Sequence, residues 1–256
     1  MPGLTSVVPG QLKQLYWDIQ FHLRPLFYLG FGVRCPCCGF PWREFVPHGQ
    51  PLRRNAGCTY CGALERHRLL YLFLKQKTEI FQRPMRLLHM APERALRRVL
   101  APLKTLSYVT ADLCAPKVSV HTDITRLAFP DNCFDAILCS HVLEHIPNDA
   151  AAMRELLRVL KPGGWAILQV PLDTTLATTM EDLSIVDPAE RRRLYGQEDH
   201  VRLYGRDYAQ RLTAAGFDVS IDQFARTFDP QTARMHGVLV EEDIYFCRKN
   251  PMYSSQ

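Results

Sequence analysis

Residues 134–171 read FDAILCSHVLEHIPNDAAAMRELLRVLKPGGWAILQVP, and their pattern decides the fold class. Ala136 to Cys139 is a short apolar run suited to a buried strand. Past a polar loop, Met153, Leu156, Leu157 and Leu160 recur at spacings of three and four, the mark of one apolar helix face. Asn148 or Asp149 can cap the start of that helix. Lys161-Pro162-Gly163-Gly164 offers a cation, a breaker and a glycine tolerant of left-handed backbone to end it. Trp165 to Val170 then resumes an apolar strand. Strand, helix and strand in this order form a βαβ unit, which predicts a parallel sheet with covering helices.

Working outward, Arg86 to Met90 reads as a short strand and Glu93 to Leu100 has helical spacing. Leu106 to Ala111 is a β-rich strand ending in Asp112, and Val118 to His121 forms another, followed by Asp123 and Ile124. Only short connections join these to each other and to Phe134, so covering helices there are expected to shrink to turns. Downstream, Tyr208 to Ala215 reads as a helix closed by Gly216, and Phe217 to Phe224 and Val238 to Cys247 read as strands. In open α/β sheets, ligands gather at the carboxyl ends of the strands.

The run Ser140-His141-Val142-Leu143-Glu144-His145-Ile146, followed by Leu160-Lys161-Pro162-Gly163-Gly164, resembles the second half of class I S-adenosylmethionine-dependent methyltransferases, the type 11 group in particular. The resemblance spans roughly residues 84–247. It implies an α/β fold: a Rossmann-like sheet with helices on both faces and a last strand inserted antiparallel. It also implies a cofactor site. By that resemblance Asp112 accepts the ribose hydroxyls with Leu113 beside it, and Asp123 meets the adenine amino group with Ile124 packing on the ring. Ser140 and His141 border the pocket. The loop after the first strand, His89-Met90-Ala91-Pro92-Glu93-Arg94-Ala95, lacks the family's glycines. Ala91 and Ala95 keep it small, and Pro92 restricts it. His89, Ala91 and Glu93 are therefore the expected cofactor-loop residues.

At 256 residues the chain can hold a domain plus a small module, and 47% hydrophobic residues supply a core. A net charge of +5 with no run of five like charges permits an acidic partner without demanding one. Arg191-Arg192-Arg193 is read as a solvated helix face. Residues 1–18 carry Pro2, Lys13 and Asp18 and no secretory h-region follows. Residues 19–33 are apolar but contain Arg24 and Pro25 and are too short to span a bilayer, so a helix packing on the main domain is expected. Nine cysteines without a secretory signal point to a reducing compartment, hence a cytoplasmic location.

Cys35-Pro36-Cys37-Cys38-Gly39 and Cys58-Thr59-Tyr60-Cys61-Gly62 are two knuckles with 19 residues, 39–57, between them. That spacing is expected of a structural zinc site, with Cys35, Cys38, Cys58 and Cys61 as four thiolate ligands and Cys37 facing away. Phe40 to Phe45 and Leu52 to Asn55 are expected as ribbon strands around a turn at 47–49. Ala63 to Phe81 reads as one linking helix. The predicted organisation is an N-terminal helical segment (1–33), a zinc-ribbon module (34–65), a linking helix (66–83) and a methyltransferase-like domain (84–256).

Methyl transfer is an in-line displacement in which alignment, water exclusion and proton removal carry the rate. The loops after the fourth and fifth strands offer His141, Glu144, His145 and a long insertion to Tyr208. Within the insertion, His200 is the preferred general base because imidazole titrates near neutrality, with Asp199 and His141 beside it as catalytic residues. Arg202 and Arg206 either grip an anionic acceptor or pair with Glu198 and Asp207. Cys139 is expected to be a packed core thiol. The expected activity is methylation of O or N on a small polar metabolite or saccharide. Two alternatives stand beside it: a zinc-module RNA (guanine) methyltransferase, less favoured on charge, and a non-catalytic binding protein on the same fold. The sequence leaves the oligomeric state open.

Overall fold

The computed structural model describes residues 26–49 and 51–252. The expected helical segment before residue 26 lies outside them. Its described end leaves helix after Phe27 and turns into strand. Leu29–Arg34 is strand β1, paired antiparallel with β2 (Pro41–Trp42). Glycine explains the change: Cβ atoms at Gly30 and Gly32 would come within 2.9 Å and 2.3 Å of Arg43 backbone atoms, so only bare backbone lets the two strands close.

A second hairpin, β3 (Val46–His48) with β4 (Arg53–Gly57), completes the ribbon. Its turn falls later than residues 47–49. The linking helix α1 runs Glu65–Lys77, shorter than expected because Thr78 is extended and its hydroxyl donates back to the Leu74 carbonyl (2.6 Å).

Seven strands make the main sheet: β5 (Met85–Met90), β6 (Leu106–Asp112), β7 (Val120–His121), β8 (Phe134–Ser140), β9 (Leu160–Gln169), β12 (Asp218–Asp222) and β13 (Ile244–Arg248). Their spatial order is β12-β13-β9-β8-β5-β6-β7. All pairs are parallel except those of β13, which inserts antiparallel between β9 and β12. As expected, no helix intervenes between β6 and β7 or between β7 and β8.

Helices cover both faces. On one lie α3 (Asp149–Val159), whose Met153, Leu156 and Leu157 are buried, and α5 (Tyr208–Ala214) with Tyr208 and Leu212. On the other lie α1 through Leu69, Leu70 and Phe73, and α2 (Arg94–Leu100) through Leu96 and Leu100. Asn148 caps α3 by accepting the Ala151 N–H at 3.0 Å. β8 is buried on both faces at Ala136 to Ser140, as a central parallel strand must be.

Three further elements lie in the long insertion and its surroundings. These are α4 (Pro188–Tyr195), with Arg192 and Arg193 on its exposed face, and the short antiparallel pair β10 (Met180–Glu181) and β11 (Arg202–Leu203). α6 (Pro230–His236) fills the stretch before β13. No helix among the described residues is long and apolar enough to cross a membrane.

Candidate functional site

Four cysteines come together in the ribbon. Cys35 and Cys61 sulfurs lie 3.6 Å apart and those of Cys38 and Cys58 3.7 Å apart. Sulfurs ~2.3 Å from one tetrahedral ion would be about 3.8 Å apart, so the set matches a closed four-thiolate site. The knuckles are built alike. Gly39 and Gly62, both at φ +76°, donate N–H groups to the Cys35 and Cys58 carbonyls at 2.8 and 2.9 Å. Cys37 stands apart, its thiol directed at the His67 carbonyl (3.7 Å).

The ribbon is fastened to the main domain by Arg68, a fully buried side chain of α1. Its guanidinium donates to Ala56 and Ala63 carbonyls on the ribbon side and to His236 and Gly237 carbonyls at the end of α6. It also lies over the Phe45 ring at 3.9 Å. Sequence inspection gave no sign of this role.

Along the carboxyl edge of the sheet, Ala91 follows β5 at φ +43°, and its N–H donates to the Ala111 carbonyl (2.8 Å). An alanine thus takes the left-handed backbone that favours glycine. His89 is fully buried and turned inward, its Nδ1 2.8 Å from the Tyr108 hydroxyl and its Nε2 2.7 Å from Glu93. Burial pushes the Glu93 carboxyl up, but the His89 hydrogen bond and charge outweigh this and hold it at about 2. Both ring nitrogens of His89 are thus taken up inside the protein.

Asp112 ends β6, with Oδ1 accepting the Cys114 and Ala115 N–H groups (2.9 and 2.7 Å). Asp123 does the same with Oδ1 for the Thr125 N–H and hydroxyl, both at 2.8 Å. Each carboxylate keeps Oδ2 without a hydrogen bond among the described residues. Leu113 is exposed beside Asp112, whereas Ile124 is buried in the core. Ser140 ends β8 buried, and His141 follows at φ +55°, partly exposed.

On the neighbouring loop, His141 Nδ1 lies 3.3 Å from Glu144 Oε1 and His200 Nε2 lies 4.0 Å from the same oxygen. His145 Nδ1 meets both the carbonyl and the carboxylate of Asp199 at 3.3 Å. His200 is buried, with Nδ1 donating to the Tyr195 carbonyl (2.9 Å), and burial lowers its pKa.

Arg202 is taken up inside the protein. It is buried, paired with Glu181 (2.8 Å), and donates to the Leu143, Ile146 and Pro147 carbonyls, which fixes the 143–147 turn. Asp207 holds Thr179 and Glu198 pairs with Arg192, so neither is the partner of Arg206 or Arg202. Cys139 is a buried core thiol, pushed up by burial.

A cavity of about 570 Å³ opens beside this loop, lined by His48 and Gly49 of the ribbon and by Arg192, Gly196, Gln197, Glu198 and Asp199 of the insertion. Its walls are polar and come from both modules.

Residues 89–168, 80 of the 256, match the family described as a methyltransferase domain. That stretch is thus similar to a methyltransferase domain, and it runs from β5 to β9 of the seven-stranded, mostly parallel sheet. Among curated proteins, it is 39% identical over 70 residues to demethylmenaquinone methyltransferase of Mycobacterium bovis, covering 26% of this chain and 29% of that one. It is 47% identical over 45 residues to the ubiquinone/menaquinone biosynthesis C-methyltransferase UbiE of Pseudomonas putida, 18% of each chain. The chain thus spans less than a third of the curated relatives it matches. Among solved structures it is similar to Burkholderia thailandensis 1,6-didemethyltoxoflavin-N1-methyltransferase with bound 1,6-didemethyltoxoflavin and S-adenosylhomocysteine. There the TM-score is 0.44 at 16% identity, covering 71% of this chain and 76% of that one.

Proposed function

We propose that this chain is an S-adenosylmethionine-dependent methyltransferase whose four-cysteine ribbon holds a structural zinc ion and walls one side of the acceptor cleft. The observation that carries the reading is the alignment of Ala91, Asp112 and Asp123 along one carboxyl edge of a sheet in the order given above. The positive φ of Ala91 places backbone where a glycine would. Asp112 and Asp123 each offer a free carboxylate oxygen to hydroxyl and amino groups.

When bound, S-adenosylmethionine supplies an electrophilic methyl group on sulfur. The chain's own residues then bind, align and exclude water. Asp112 and Asp123 fix the nucleoside, and Ser140 and His141 border the reacting end. His141, partly exposed and backed by Glu144, is a group at this strand end able to take an acceptor proton. His200 is too buried to meet an acceptor from its side of the loop, and its part lies with Glu144 and His145.

For the acceptor, a small polar molecule accords with a cavity lined by His48, Arg192, Gln197, Glu198 and Asp199. The names of the curated relatives favour a second reading, a quinone-type ring methylated on carbon. Those matches cover about a quarter of the chain or less, and the polar cavity favours the first. Calorimetric titration with S-adenosylmethionine and S-adenosylhomocysteine tests the cofactor. Saturable binding of both is expected, and binding of neither would leave a fold without the activity.

A further inference from the structure

We propose that Glu144, His145 and His200 form a second metal site, for a divalent transition cation, distinct from the cysteine cluster. One ligand atom from each lies within 4.8 Å of the others. Glu144 is 1% exposed and neither carboxylate oxygen has a hydrogen bond; His141 Nδ1 lies 3.3 Å from Oε1 without making one. His200 is 2% exposed. Its Nδ1 proton is given to the Tyr195 carbonyl, so the lone pair of the ring sits on Nε2, which has no partner and faces Glu144 Oε1 at 4.0 Å.

Two acceptor atoms buried face to face are costly unless a cation lies between them. Ligands ~2.1 Å from one ion sit about 3–4 Å apart; Glu144 and His200 are at 4.0 Å, and the three atoms together, within 4.8 Å, need only a small inward shift to close on an ion. His145 supplies the third ligand and is oriented by Asp199 at Nδ1, as carboxylates orient metal-binding imidazoles. Two imidazoles and one carboxylate suit zinc, cobalt, manganese or iron rather than calcium or magnesium.

The scaffold is prepared in advance. The Val201 N–H donates to the Glu144 carbonyl (2.9 Å), and Arg202 clamps the same turn through three carbonyls. Residues more than fifty positions apart are thus held in register. Asp199 also lines the cavity, so the site adjoins the acceptor cleft. If the methyltransferase reading holds, an acceptor oxygen entering from that cavity is the natural further ligand. The metal site itself does not depend on that reading.

The test is metal content per chain of the full-length protein after loading with excess Zn²⁺ or Co²⁺ and desalting. Two ions per chain are expected. Glu144→Gln and His145→Gln should each bring the count to one, and Cys58→Ser should also leave one. In the cobalt protein, Glu144→Gln should remove the weak bands of a nitrogen–oxygen site and spare the intense sulfur-to-cobalt bands. His145 is partly exposed, so its variant carries the test if Glu144→Gln does not fold. One ion per chain in the wild type, with melting unmoved by added Zn²⁺, Co²⁺ or Mn²⁺, overturns the proposal. A wild type with two ions but no affinity for S-adenosylmethionine keeps the metal site and removes only the methyltransferase reading.

Discussion

Arg68 and Gly237 meet across 169 positions of sequence, the guanidinium donating to the glycine carbonyl at 2.6 Å. Gly237 must be bare for this. At φ +58°, an added Cβ would lie 2.6 Å from the Phe45 ring and 2.8 Å from Arg68 itself. The contact joins ribbon, linking helix and the segment before β13 in one buried knot.

Replacing Arg68 with methionine should therefore cost about 3 kcal/mol or more, since four carbonyls lose a charged donor in a buried place. Denaturant unfolding measures it. A loss under about 0.5 kcal/mol, the range of ordinary surface changes, would mean the knot is not needed.

Ala91 invites a backbone experiment. A β-branched residue at φ +43° is strained, so Ala91→Val should cost about 1–2 kcal/mol, while Ala91→Gly should be neutral or mildly stabilising. Thermal melting of the pair against the wild type decides it. Equal melting of all three would show that the loop is free to leave this conformation.

His67 should make the protein sensitive to acid. Its Nδ1 accepts the Leu64 N–H (3.1 Å), which only an unprotonated ring can do, and burial lowers its pKa to about 4. The unfolded value is near 6.5, so the stabilisation is complete above about pH 6.5 and is lost as pH falls towards 4. The loss should amount to about 2–4 kcal/mol. Glu93, depressed to about 2, adds a further loss below the ordinary carboxylate range. Denaturation at several pH values should show the slope, and His67→Gln, able to accept the same N–H without titrating, should flatten its upper part. Identical slopes would exclude His67 as the source.

Asp112→Ala should weaken S-adenosylmethionine binding by about 1.5–3 kcal/mol, the worth of a hydrogen bond to a charged group. Because Asp112 also holds the Cys114 and Ala115 N–H groups, Asp112→Asn is the control. It keeps an acceptor for the turn and should retain more of the affinity. A dissociation constant unchanged in both would remove Asp112 from the site.

Cys58→Ser should release the ribbon's ion and lower the melting temperature, with the sheet's far-ultraviolet signal largely kept. Full retention of zinc with unchanged melting would show that the cluster holds none.

The central helix and its flanking strands were legible because Met153, Leu156 and Leu157 carry a clean apolar face and Ala136 to Cys139 an unbroken apolar run. The cysteine cluster was legible from spacing alone. Lys161 to Gly164 do more than follow the end of the helix at Val159. They loop out as a bulge opposite Asp135 within β9, because Gly164 lies against the Asp135 carbonyl and Lys161 pairs with its carboxylate at 2.7 Å. β1 was read as helix because its apolar residues outweighed the meaning of Gly30 and Gly32 in a close strand pair.

At the site, Asp112, Asp123 and His141 were legible as strand-end residues. The burial of His200, the clamp made by Arg202 and the facing of Glu144 by two imidazoles were not. They arise from contacts between segments over fifty positions apart, which no local pattern records.

The cavity's two walls are held in place by unrelated means, one by the ribbon's thiolates and the other by the hydrogen bonds of the insertion. On the function proposed above, cofactor and acceptor would then be held by separable parts of the chain. The edge that carries Asp112 and Asp123 does not include the ribbon, whereas the ribbon supplies His48 and Gly49 to the cavity, so loss of a ribbon ion would be felt at the acceptor before it was felt at the cofactor.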